Sequence, residues 1–126
     1  MMDALGEALG EAARQFHVLL ARRRAYARAR KLLHEHLTLE QRVSLKENGY
    51  VVVRGNVSGD EYQVWGAFNG INVIRAKDGA RFCFYPNAVR GCLPRPDVIL
   101  GQILVLRHHE RWLLRRFGEP CPGGRR

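Results

Sequence analysis

The sequence predicts an α+β fold: N-terminal helices, a four-stranded antiparallel meander and a C-terminal helix packed on the sheet. Three observations carry that expectation. Residues 1 to about 48 contain no Pro and are rich in Ala, Leu and Arg, a composition that favours helix. From 50 to about 85, apolar and aromatic residues are interrupted by Gly, Asn and Asp, as in strands joined by turns. From 96 to 117 a helical pattern returns. The expected organisation is a basic helical extension over 1–36, an α+β domain over 37–117 and a frayed tail over 118–126.

The first helix has two stripes. Leu5, Leu9, Ala12, Phe16 and Leu19/Leu20 recur at spacings of three and four on one face. Val18, Ala21, Ala25, Ala29 and Leu32/Leu33 share nearly the opposite face. A straight helix cannot press both against a single core. Either it breaks near 18–22, or its first half reaches a second chain or another protein through Leu5, Leu9, Phe16 and Leu20.

The second helix, over 38–48, has clear ends. Thr38 followed by Gln41 fits a capping box, and Asn48-Gly49 supplies a left-handed stop. Leu39, Val43 and Leu45 give it a short inward stripe. Four strands follow, over 50–54, 61–65, 71–76 and 81–85. Gly55-Asn56 with Gly59-Asp60, Asn69-Gly70 and Asp78-Gly79 fill the gaps. Connections this short require antiparallel neighbours. The last helix opens with Pro96 and Asp97, and its first half (Val98, Ile99, Leu100, Ile103, Leu104, Val105, Leu106) is apolar all round. It is therefore expected across the sheet at the centre of the core.

Charge narrows the function more than any motif. Among 126 residues, 21 Lys and Arg face 12 Asp and Glu, a net charge of +9, and 18 of the cations are Arg. Such a surface concentrates polyanions, even where part of the Arg excess is coding bias. Arg22, Arg23, Arg24, Arg28, Arg30 and Lys31 fall in ten residues with no acid. Arg107, Arg111 and Arg115 form a ridge of the last helix, beside His108, Trp112 and Arg116. Guanidinium forks pair with phosphate, and Trp or His rings stack on bases. The bland alternative is a solvated face with Trp112 tucked against the sheet.

Other chemistry finds little support. Cys83, Cys92 and Cys121 include no close pair of the kind zinc sites use, and His34 and His36 point to different sides of a helix. Ser44 and Ser58 lack a nucleophile-elbow context, and no phosphate-binding glycine loop occurs. A thiol site of Cys83 with His108 or His109 is the one catalytic pairing conceivable. No catalytic residue, metal or cofactor is therefore expected. No apolar run is long enough to span a membrane, and the start lacks the features of a secretory leader, so a cytoplasmic location is the expectation.

Residues 37–115 carry Leu37-Thr38-Leu39-Glu40-Gln41-Arg42, Gly49, Gly55, Gly59-x-x-Tyr62, Gly70-x-Asn72-Val73 and Cys83-x-x-Pro86. Leu93-Pro94-x-Pro96-Asp97-Val98-x-Leu100-x-Gln102-x-Leu104 follows. In these pieces the chain resembles a group of short bacterial and phage proteins of no assigned activity. The resemblance implies helix, small antiparallel sheet and helix. Tyr85 stands where that pattern often has His, and Arg107, Arg111 and Arg115 make basic a helix usually more acidic. The expectation is a non-catalytic binding protein contacting nucleic acid or another polyanion. The alternative is an assembly subunit, self-associating or docking on a protein partner through its first helix.

Overall fold

A computed structural model describes residues 2–67, 71–82, 84 and 93–116. The expected Asn69-Gly70 turn, the three cysteines, Tyr85, Pro86 and the 118–126 tail lie outside the described residues. The chain forms helix α1 (Met2–Glu35), helix α2 (Leu39–Glu47), and strands β1 (Tyr50–Arg54), β2 (Glu61–Trp65), β3 (Val73–Arg75) and β4 (Arg81–Phe82). Helices α3 (Arg95–His108) and α4 (Glu110–Arg116) complete it. The sheet has the order β1-β2-β3-β4 with every pair antiparallel, which is the expected meander. The first two strands match their expected bounds and the third is shorter; β4 covers the start of the expected fourth strand, of which residues 83 and 85 lie outside the described residues.

Alternation along the strands builds the core. Val51, Val64, Val73 and Phe82 are opposite one another in register and form one buried row across all four strands. Val53 and Tyr62 form a second pair on the same face. Helix α3 lies against this face with Ile99, Ile103 and Leu106, and Leu113 of α4 extends the same cluster. Leu33 and Leu37, at the end of α1, join it.

Helix α1 does not break at 18–22; it runs unbroken for 34 residues, about 51 Å. From Asp3 to Arg28 only Gly10, Leu20 and Ala25 are even half buried. Burial begins at Ala29 and Leu33, so the last turns of the expected extension pack into the core. The carbonyls at that end are capped by side chains. His36 Nδ1 donates to Leu32 O (2.9 Å), Arg42 Nε to His34 O (3.0 Å) and Arg107 Nη1 to His36 O (3.1 Å). The two guanidinium donors suit the negative end of a helix, so α1 is held where it enters the domain.

Helix α2 has its capping box: Gln41 N donates to Thr38 Oγ1 and Thr38 N to Gln41 Oε1. Gly49 ends it at φ +85°, a conformation that favours glycine. The expected inward stripe is wrong in two of its three members. Leu39 is 74% exposed and Val43 is exposed as well, while Leu45 alone packs on the core. Polar contacts decide which face turns in. Gln41 Nε2 donates to Val52 O (3.1 Å) and Ser44 Oγ to Tyr50 O (2.7 Å), so α2 covers carbonyls along the outer edge of β1. An unpaired edge is a site for unwanted strand pairing, and this helix closes it.

Candidate functional site

The expected single helix over 96–117 is two helices, and the interruption builds the site. In a continuous helix the amide of Glu110 would donate to the carbonyl of Leu106. Asn56, in the β1–β2 turn, occupies that gap. Its backbone N donates to Leu106 O (3.2 Å), and its Oδ1 accepts from Glu110 N (3.1 Å). One residue thus replaces one rung of the helix ladder, a recognised cause of kinks. His109 at the break has φ −139° and ψ 34°, outside helical values.

The kink aims Glu110 into the turn. Its side chain is fully buried, and its carboxylate accepts four hydrogen bonds. Val57 N (2.9 Å) and Ser58 N (2.8 Å) donate to Oε1, while Ser58 Oγ (2.6 Å) and Tyr62 OH (2.7 Å) donate to Oε2. Burial alone would raise its pKa. The donors from Ser58, Tyr62 and Val57 outweigh burial and hold it below the usual glutamate range. Tyr62, buried and donating to that carboxylate, has its phenol pKa raised.

Gly55 makes room for this clasp. A Cβ added there would overlap the Glu110 carboxyl group, although the Gly55 backbone itself is not in the left-handed region. Gly55→Ala should therefore lower stability by about 1–3 kcal/mol, the usual range for forcing an extra methyl into filled space. Urea denaturation measures it; a variant as stable as the parent would show that the carboxylate can move aside.

With Glu110 and Leu113 turned inward, α4 presents Arg111, Trp112, Arg115 and Arg116 outward. At about 100° per residue, Arg111 and Arg115 lie about 40° apart, and Trp112 and Arg116 are spaced the same way beside them. These four, with His108, His109, Asn56 and Val57, line an open groove of about 580 Å³. Trp112 is 42% exposed rather than tucked against the sheet. Not one of the eight lining residues is an acid.

The remaining expected cations are distributed differently. Arg107 does not continue the Arg111/Arg115 ridge, because the kink intervenes. Its guanidinium donates to His36 O and to Gln41 Oε1 (3.0 Å) and so joins α3 to α1 and α2. On α1, Arg22, Arg23, Arg24, Arg28, Arg30 and Lys31 occupy about two thirds of the helix circumference rather than one face. Arg30 alone of these six lines a second groove, of about 680 Å³, together with His34, Arg42, Lys46 and Arg95. Among the described residues the ion pairs are Arg14–Glu11, Arg54–Glu61, Arg75–Asp78 and Lys77–Asp60, so none of the proposed phosphate-binding cations is neutralised by one. Leu5, Leu9 and Phe16 are exposed, and Leu20 is half buried.

Sequence reasoning placed Gly55 and Asn56 in the β1–β2 turn but missed their part in the site, and it overlooked Glu110. A signal for Glu110 was present: Ile103, Leu106, Glu110 and Leu113 follow one another at spacings of three and four, placing a carboxylate on the buried stripe. Asn72 and Gln102 form a second buried polar pair. Gln102 Nε2 donates to Asn72 Oδ1 (2.9 Å) and to Phe84 O (2.9 Å), and Asn72 Nδ2 donates to Gln102 Oε1 (2.7 Å) and to Trp65 O (3.2 Å). Both networks are satisfied internally, which identifies them as structural.

The fold and groove together define a small α+β module with a cationic, ring-bearing surface held on a kinked helix. Against known proteins, no family model, no curated protein and no solved structure matches the chain. Among the described residues no group of three His, Cys, Asp or Glu could hold a metal ion, and no helix is long and apolar enough to cross a membrane.

Proposed function

We propose that this chain binds a polyanion, nucleic acid above all, in the groove between the β1–β2 turn and the end of α3 with α4. One observation carries the reading: Arg111, Arg115 and Arg116 converge with Trp112, His108 and His109 on a surface without acids. Guanidinium groups pair with phosphate oxygens through two parallel hydrogen bonds, and an exposed indole offers a stacking surface to an unpaired base. The Glu110 clasp supports the reading further. It fixes the helix carrying these side chains, so little ordering remains to be done on binding. The basic residues over about two thirds of the α1 circumference add general attraction for a polyanion.

Fluorescence anisotropy with a labelled single-stranded oligonucleotide tests the proposal. Affinity should fall steeply as salt rises, because each neutralised phosphate releases counterions. Replacing Arg111, Arg115 and Arg116 together by Ala should reduce the slope of log affinity against log salt by about 2, at about 0.7 per lost contact. Binding that ignores salt, or that the triple variant leaves unchanged, overturns the proposal.

A further inference from the structure

From Asp3 to Arg28 nearly every residue of α1 is exposed, and this stretch is poorly equipped to stand alone. Its free part contains Gly6 and Gly10, each costing about 1 kcal/mol relative to Ala in a helix interior. Helices in proteins draw most of their stability from packing an amphipathic face rather than from propensity. The stripe that such packing would use is bare: Leu5 is 64%, Leu9 63% and Phe16 60% exposed.

The stripe has a strict register. Leu5, Leu9, Ala12, Phe16, Leu19 and Arg23 alternate spacings of four and three, the a/d seam of a coiled coil. Charge along the helix is divided. Residues 2–14 hold Asp3, Glu7 and Glu11 against Arg14, a sum of −2, while residues 15–31 hold six cations and no acid, a sum of +6. Two such helices side by side in parallel would set +6 against +6. Reversed, each acidic end lies along a basic stretch.

We infer that α1 pairs with a second copy of itself as an antiparallel coiled coil centred on residue 14. In that register Leu9 meets the partner's Leu19, and Phe16 meets the partner's Ala12, a large side chain against a small one. Leu5 lies level with the partner's Arg23, whose long apolar stem can cover the seam while its guanidinium reaches water. The length agrees as well. Residue 2 falls level with the partner's Tyr26, so the overlap covers the free helix and ends before Ala29, where burial in the domain begins. The two domains then sit at opposite ends of the shared rod. This pairing is independent of the groove on α4.

Light scattering of the nuclease-treated full chain should give twice the 14.4 kDa chain mass. Phe16→Glu should return the mass to that of one chain at the same concentration. Because Phe16 lies outside the core, the near-UV signal of the domain should persist. A variant carrying both Leu9→Cys and Leu19→Cys should oxidise to a disulfide joining position 9 of one chain to position 19 of the other, identified by peptide mass. A single-chain mass at tens of micromolar, a mass that halves only after nuclease treatment, or a disulfide joining the two copies of position 9 would each overturn the inference.

Discussion

Replacing Glu110 by Ala should destabilise the fold by about 3–5 kcal/mol, at the far end of what single substitutions do. The magnitude follows from what is left behind. Two backbone amides, Val57 N and Ser58 N, and two hydroxyls, Ser58 Oγ and Tyr62 OH, lose their shared acceptor. Each unsatisfied buried donor costs about 1–3 kcal/mol, reduced where water enters. Since whole domains are stable by about 5–15 kcal/mol, this variant should be close to unfolding at ambient temperature. Glu110→Gln keeps the shape and a neutral acceptor and should cost less, about 1–2 kcal/mol.

Acid distinguishes the charge from the shape. The folded pKa of Glu110 lies below its ordinary value of 4.5, so its contribution is complete above that value and is lost as pH falls through the folded pKa. The stability gap between the parent and Glu110→Gln should therefore be full at pH 7 and narrow below about pH 4.5. Asp78, held down to about 2 by the Arg75 guanidinium and the Ala80 amide, also titrates in acid. It is present in both proteins and cancels from the difference. A gap unchanged between neutral and acid pH would mean that the buried carboxyl is not ionised in the fold.

Gln102→Leu should cost about 2–3 kcal/mol despite adding an apolar side chain to an apolar helix. It removes both donors that Gln102 Nε2 supplies, so Asn72 Oδ1 and Phe84 O each lose a hydrogen bond. Combining it with Asn72→Val removes one of those two acceptors. The double variant should therefore be more stable than the two single losses added together, by about 1–2 kcal/mol of coupling. Urea denaturation of the four proteins closes the cycle, and simple additivity would show that water replaces the lost partners.

Local patterns carried much of the architecture. Thr38 and Gln41 cap a helix through side chains three residues apart, and Gly49, Gly59 and Gly79 take positive φ where the chain turns. Such signals are contained within a few residues, so the sequence displays them directly. What it hid depends on meetings between distant residues. Nothing near Leu106 or Glu110 announces that Asn56, 54 residues before Glu110 in a chain of 126, enters their helix. The 96–117 pattern is continuous, and the kink is imposed from outside it. Likewise Leu39 and Val43 suggest an inward face, but free carbonyls on β1 draw Gln41 and Ser44 instead. The Arg111/Arg115 half of the groove could be read from spacing. Arg107 could not be separated from it, since only the fold brings the end of α1 within its reach.

The tip between β1 and β2 reverses the ordinary tolerance of hairpin ends, which are where chains most readily accept inserted residues. Here Asn56 bonds the backbone of the helical break while Gly55, Val57 and Ser58 surround its Glu110 carboxylate, and one added residue would put all four out of step with it. The tip thus has a fixed length as well as a fixed composition, and lineages of this domain should vary their other connections before this one.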